Sequence, residues 1–117
     1  MIDYDRRRFR PVEESASGRV AVYRQDGDLF WGEFTGGRAR RGTLVGTRAA
    51  DDSLDFAYGM VLDDGEVVSG RCHSVPEVLD DGRIRLREQW ERYGLHTDRG
   101  VSVLEEIPGV DGKEDLT

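Results

Sequence analysis

Residues 53–65 read Ser-Leu-Asp-Phe-Ala-Tyr-Gly-Met-Val-Leu-Asp-Asp-Gly. Leu54, Phe56, Tyr58, Met60 and Leu62 occupy alternate positions, so an extended chain points all five to one face. Asp64-Gly65 then supplies two residues that accept positive φ, which is the backbone a tight hairpin requires. The stretch predicts an antiparallel strand with one apolar face and a reversal into the next strand.

The same grammar extends in both directions. Asp26-Gly27, Gly36-Gly37 and Asp81-Gly82 punctuate the chain between short runs of Val, Leu, Phe, Tyr and Trp. Strands are predicted at about 9–12, 20–25, 29–35, 39–48, 53–62, 66–75, 83–93 and 100–107. Pro76 is expected to end the sixth, because it cannot donate to a ladder. Glu13–Gly18 reads as a flexible loop by composition. No segment carries a helical period. The expectation is one all-β domain over 1–117, with a 9–107 core and flexible termini at 1–8 and 108–117.

About eight hairpin-linked strands make an up-and-down meander, and a long meander exposes two edges unless it closes on itself. Eight strands close into a barrel just wide enough to be filled by side chains or to hold one small ligand. A lipocalin- or avidin-like barrel is therefore expected, with a sandwich or an open curved sheet as the alternatives.

Composition narrows the classes of function. The net charge is −7, which opposes general nucleic-acid binding. Residues 1–48 carry ten Arg against seven acids, and residues 49–117 carry seven basic residues against seventeen acids. The Arg6-Arg7-Arg8, Arg10 and Arg38–Arg41 clusters are read as solvated Arg balancing local acids. Arg83, Arg85 and Arg87 form an outward stripe expected to meet acids on a neighbouring strand. Cys72 is the single cysteine, so no intramolecular disulfide forms, and no Cys/His cluster has zinc-ligand spacing. No apolar run reaches the ~20 residues of a membrane helix, and the charged N-terminus lacks a signal-peptide core. A cytoplasmic location and no cofactor are expected.

Strand register assigns the candidate site. Ile84, Leu86, Glu88 and Trp90 share a face, which places Glu88 on the apolar side. A buried carboxylate requires a partner or a raised pKa. Such a group anchors a ligand, performs acid–base chemistry, or is satisfied by an interior hydrogen bond to Tyr58 or an Arg. Gly70, Cys72 and Ser74 alternate on the sixth strand and leave room for large neighbours such as Trp90 and Phe56. Cys72 and His73 are adjacent and so face opposite ways, which separates thiol from imidazole. Phe30 and Phe34 are assigned inward and Trp31 outward.

Several strings together form a pattern: Phe34-Thr35-Gly36-Gly37, Gly42–Gly46, Gly70–Glu77 and Gly82–Trp90. The pattern resembles small bacterial proteins that often carry the label "N-acetylglutamate synthase". That activity would imply an acetyltransferase fold, with a Gly-rich loop before a helix to hold pyrophosphate. This chain offers no such unit.

Three functions follow from these readings. The first is a non-enzymatic barrel that binds a small apolar or amphipathic ligand, lined by Phe34, Phe56, Tyr58, Cys72 and Trp90, with Phe30 in the same interior and Glu88 as polar anchor. The second is an interaction module without ligand, a homodimer joined at Trp31 or an edge strand. The third is an enzyme using Glu88 and Tyr58 as acid–base groups.

Overall fold

Eight antiparallel strands follow one another around a closed barrel in a computed structural model that describes residues 1–13 and 18–107. They are β1 (Arg8–Pro11), β2 (Val20–Asp26), β3 (Leu29–Gly36), β4 (Ala39–Arg48), β5 (Leu54–Leu62), β6 (Val67–Val78), β7 (Ile84–Arg92) and β8 (Asp98–Glu106). Each pairs with its sequence neighbour, and β1 pairs with β8 through Phe9↔Glu106, Arg10↔Glu105 and Pro11↔Leu104. That last ladder removes both edges, so the sandwich and the open sheet are set aside. The only helical element among the described residues is a 3-10 turn at Gly94–His96.

The turns behave as their residues require. Gly27, Gly37, Gly65 and Gly82 all sit at positive φ, where a Cβ is disfavoured. The stretch that set the reading, β5, buries Leu54, Phe56, Met60 and Leu62, with Tyr58 partly covered.

Two sequence expectations are corrected. Pro76 does not end β6: it pairs with Leu86, and the strand runs on to Val78. The reason lies on the other side, where β5 begins at Leu54 opposite Ser74. Beyond Ser74 the β5 flank of β6 is an edge, and there a missing N–H removes no ladder bond. Residues 1–8 are not a loose tail. Tyr4 is wholly buried, and Arg6 N–H donates to the Tyr23 carbonyl at 2.7 Å. The C-terminal stretch 108–117 and residues 14–17 of the expected flexible loop lie outside the described residues.

The barrel's two ends differ. One carries the 26–29, 48–54 and 78–84 connections and is closed by the N-terminal segment. Tyr4, Phe9, Tyr23, Phe30, Leu54, Ile84 and Leu86 form a continuous core there. The other end carries the 36–39, 62–67 and 92–98 connections. A second cluster of Ala39, Met60, Leu62 and Val68 fills only one side of it.

Ion pairs cover much of the outside. Arg85 meets Glu105 at 2.6 Å and Glu77 at 3.6 Å, which is the cross-strand pairing expected of that stripe. Arg7 pairs with Glu106, Arg24 with Asp5, Arg38 with Asp63 and Asp64, and Arg41 with Glu33. Each such exposed pair adds little stability, but together they account for much of the basic clusters.

Candidate functional site

Inside the barrel, aromatic rings sit opposite glycines. Register pairs Phe34 with Gly42, Phe56 with Gly46, Tyr58 with Gly70, and Trp90 with Gly100. A Cβ at Gly42 would fall within the Phe34 ring, and one at Gly100 would come 2.6 Å from the Trp90 indole. The small residue on one strand is thus the floor on which its neighbour's ring lies. The rings lie along the wall and leave space at the axis.

That space is a cavity of about 200 Å³, open at the partly filled end beside Glu13, Arg19 and Arg92. An apolar cavity of ~150 Å³ is enough to hold one benzene. All six residues singled out from sequence line it: Phe34, Phe56, Tyr58, Cys72, Glu88 and Trp90. Phe30 lies deeper, in the packed core, with its ring edge-on to Phe56 at 5.4 Å.

Glu88 reaches the cavity from the middle of β7. Its cross-strand neighbours are Ser74 on β6 and Ser102 on β8. Ser74 Oγ donates to Glu88 Oε2 at 2.9 Å. The partner is thus a serine hydroxyl, not the Tyr58 or Arg that the sequence suggested. Burial pushes the Glu88 carboxyl up to about 7, against the weaker opposing pull of the Ser74 hydrogen bond. Near neutral pH this group is part acid and part anion.

Cys72 sits in the ring Phe56–Cys72–Trp90, directly between the two aromatic strands. Its Sγ lies 3.8 Å from Ser74 Oγ. Burial, and then the neighbouring Glu88, push the thiol well above its ordinary range. It is a small apolar wall group rather than a thiolate nucleophile. His73 points outward, where Nδ1 lies 2.8 Å from Asp55 Oδ1. Thiol and imidazole are on opposite faces, as the alternation requires.

Tyr58 and Trp90 have committed polar atoms. The Tyr58 hydroxyl donates to the Glu91 carbonyl at 3.0 Å, and Trp90 Nε1–H donates to Ser102 Oγ at 3.1 Å. No hydrogen bond joins Tyr58 to Glu88, so the two do not form an acid–base pair here.

Sequence reasoning missed Arg92. It lies two residues beyond Trp90 on the same face, so the alternation that placed Glu88 also places it inward. Its guanidinium stacks on the Trp90 ring at 5.6 Å from the centroid. Tyr23 was also missed; it lines the cavity from β2, and burial and then Glu88 hold its phenol proton tightly. Among the described residues no cluster of three or more His, Cys, Asp or Glu could hold a metal ion.

A comparison with curated proteins and another with solved structures gave no match. A family model described as "Avidin-like protein" matches residues 2–107. The match takes in the N-terminal plug, all eight strands and every strand that lines the cavity, and by that measure this chain belongs to the avidin-like protein family.

Proposed function

We propose that the barrel binds a small molecule, without chemistry, in the cavity beside Glu88. The observation that carries this is the pairing of an aromatic-walled space of about 200 Å³ with one carboxylate, Glu88, set deep within it. Ligand sites commonly take this form, with few polar groups fixing orientation inside an apolar pocket. Small-ligand binding is also the general habit of avidin-like barrels, which supports the reading by analogy.

The test uses the two tryptophans. Trp90 lines the cavity, whereas Trp31 faces outward. Titration with benzyl alcohol should move the Trp90 indole N–H resonance and leave that of Trp31 in place. Ala21→Leu adds bulk to the cavity wall and should abolish the shift while the protein stays folded. An unmoved Trp90 signal at millimolar probe would sink the reading.

A second use of the molecule is favoured by the outer face. Trp31 on β3, Val45 on β4 and Ala57 on β5 stand in register there, with Trp31 38 % and Val45 54 % exposed. A homodimer joined at this stripe would bury them and leave the cavity free. Analytical ultracentrifugation should then show a dimer that Trp31→Glu converts to monomer. A wild-type monomer at all concentrations would remove this second reading and leave the first intact.

A further inference from the structure

Two opposite charges on β7 face the cavity, and among the described residues neither forms an ion pair. The hydrogen-bond partners of Glu88 are both neutral, the Ser74 hydroxyl and the Cys72 thiol. Among the described residues, no Arg or His comes within ion-pair distance of its carboxyl. Among the described residues Arg92 meets no carboxylate either; its polar neighbour is the neutral Tyr58 hydroxyl. Its Nε is buried without an acceptor, and its guanidinium rests on Trp90. This contrasts with the outside, where Arg7, Arg24, Arg38, Arg41, Arg83 and Arg85 all pair with acids. An exposed Arg without a partner is satisfied by water, but Arg92 is partly buried. A partly buried charge whose neighbours are a neutral hydroxyl and an aromatic ring is left without charge compensation, which is costly.

The two groups are also ordered in depth. Glu88 and Arg92 are four residues apart on one strand, so they share a face and their Cα atoms lie ~13 Å apart. Glu88 is level with the Ser74–Ser102 row, and Arg92 is near the open end. Between them lie Trp90 and, across β6, the Phe56 ring. The cavity therefore runs from an acid, past apolar rings, to a cation at the mouth. Arg19, whose Nε donates to the Gly36 carbonyl at 3.4 Å, and the exposed Glu13 flank that mouth.

Resting on the ligand-binding reading above, we propose that the ligand is a zwitterion: a cationic nitrogen head against Glu88, an apolar body along Phe56 and Trp90, and an anionic tail against Arg92. A purely anionic ligand would leave the deep carboxylate facing an apolar body. A purely cationic one would leave the mouth guanidinium without a counter-charge. A neutral amide head would hydrogen-bond Glu88 without neutralising it. Only opposite charges at the two ends satisfy both groups, and charge-assisted hydrogen bonds are the stronger kind.

Calorimetric titration at about pH 8 tests this with four probes of matched length: ω-aminooctanoate, octanoate, octylamine and octanedioic acid monoamide. The zwitterion should bind about tenfold more tightly than each of the others, a margin that one charge-assisted contact readily supplies. Glu88→Gln should erase its advantage over octanoate, and Arg92→Gln its advantage over octylamine, while Arg92→Lys keeps most of the latter. Thermal melts of the three variants establish that they are folded, and Arg92→Lys covers a failure of Arg92→Gln to fold. Equal binding of any single-charge probe or of the monoamide overturns the proposal. If benzyl alcohol shifts Trp90 but ω-aminooctanoate does not bind, the zwitterion is wrong and the cavity remains a ligand site. If neither probe binds, the ligand reading itself falls and the proposal with it.

Discussion

Tyr4→Ala should lower the unfolding free energy by about 3–5 kcal/mol, the range for emptying a fully buried aromatic site. Tyr4 has no exposed surface although it precedes the first strand. Its ring closes one end of the barrel against Tyr23, with centroids 6.4 Å apart. Its backbone N–H donates to Gln25 Oε1 at 2.8 Å, and its hydroxyl donates to the Asp52 carbonyl at 2.7 Å. Asp52 stands at φ 71°, a left-handed conformation that Asp accepts at lower cost than most residues. Ile2 N–H and Arg48 both bond its carboxylate. The plug thus ties the N-terminus to the β4–β5 turn as well as filling the end. Tyr4→Phe keeps the ring and removes only the hydroxyl bond, so its loss should be near 1 kcal/mol. Urea unfolding of the two variants separates packing from hydrogen bonding. Equal, small losses in both would show that the end of the barrel is closed by something other than this ring.

The barrel was legible because period two survives where a strand has one buried face. In β5 and β7, that alternation gave the inward set outright, and with it Glu88. The glycines were legible too, as small positions leaving room, although which ring lies over which glycine needs the register between strands. Gly70 illustrates this: it serves Tyr58, whereas Trp90 lies over Gly100. The two misreadings share a cause. Pro76 and Tyr4 were judged by local rules, but their positions are decided by what stands beside them. A proline is tolerated where the neighbouring strand has already begun its turn. A short polar segment is held when the end of a barrel needs a lid.

The site was half legible for a related reason. A carboxylate on an apolar face stands out in sequence, and the same alternation marks Glu88 and its aromatic neighbours as inward. Arg92 obeys the same alternation but sits where the strand runs out, and sequence alone places the end of a strand to within a few residues at best. Ser74 was seen as a small residue, yet its role as the donor to Glu88 depends on the β6–β7 register, in which the two stand directly opposite.

Glu88→Gln should remove a pH dependence of stability that the wild-type protein shows between about pH 4.5 and 7. Burial raises the folded-state pKa above the unfolded value, so across this window the folded state holds more protons than the unfolded state. Stability is then full below the unfolded pKa and is lost as pH rises through the folded one. The full shift corresponds to roughly 3 kcal/mol. Glu88 is only partly covered and lines an open cavity, and solvent screening there brings the expected loss to about 1–3 kcal/mol. Cys72, Ser74, Ser102, Tyr23 and Tyr58 are the polar groups around it, and none of them is charged at these pH values. The loss therefore belongs to Glu88. Asp5, Asp51 and Asp81 have lowered pKa values and weaken the protein in acid, but they do so equally in both proteins and cancel in the difference. Urea unfolding at pH 4.5, 6, 7 and 8 should show the variant matching wild type at the acid end and exceeding it at the alkaline end. A difference that stays constant with pH would show that the carboxyl keeps its ordinary pKa and is better hydrated than the geometry of its strand implies. A cationic ligand head should act in the opposite sense to burial, drawing the Glu88 proton off and restoring the lost stability above pH 7. The two measurements thus report on one carboxyl, once in the empty barrel and once in the filled one.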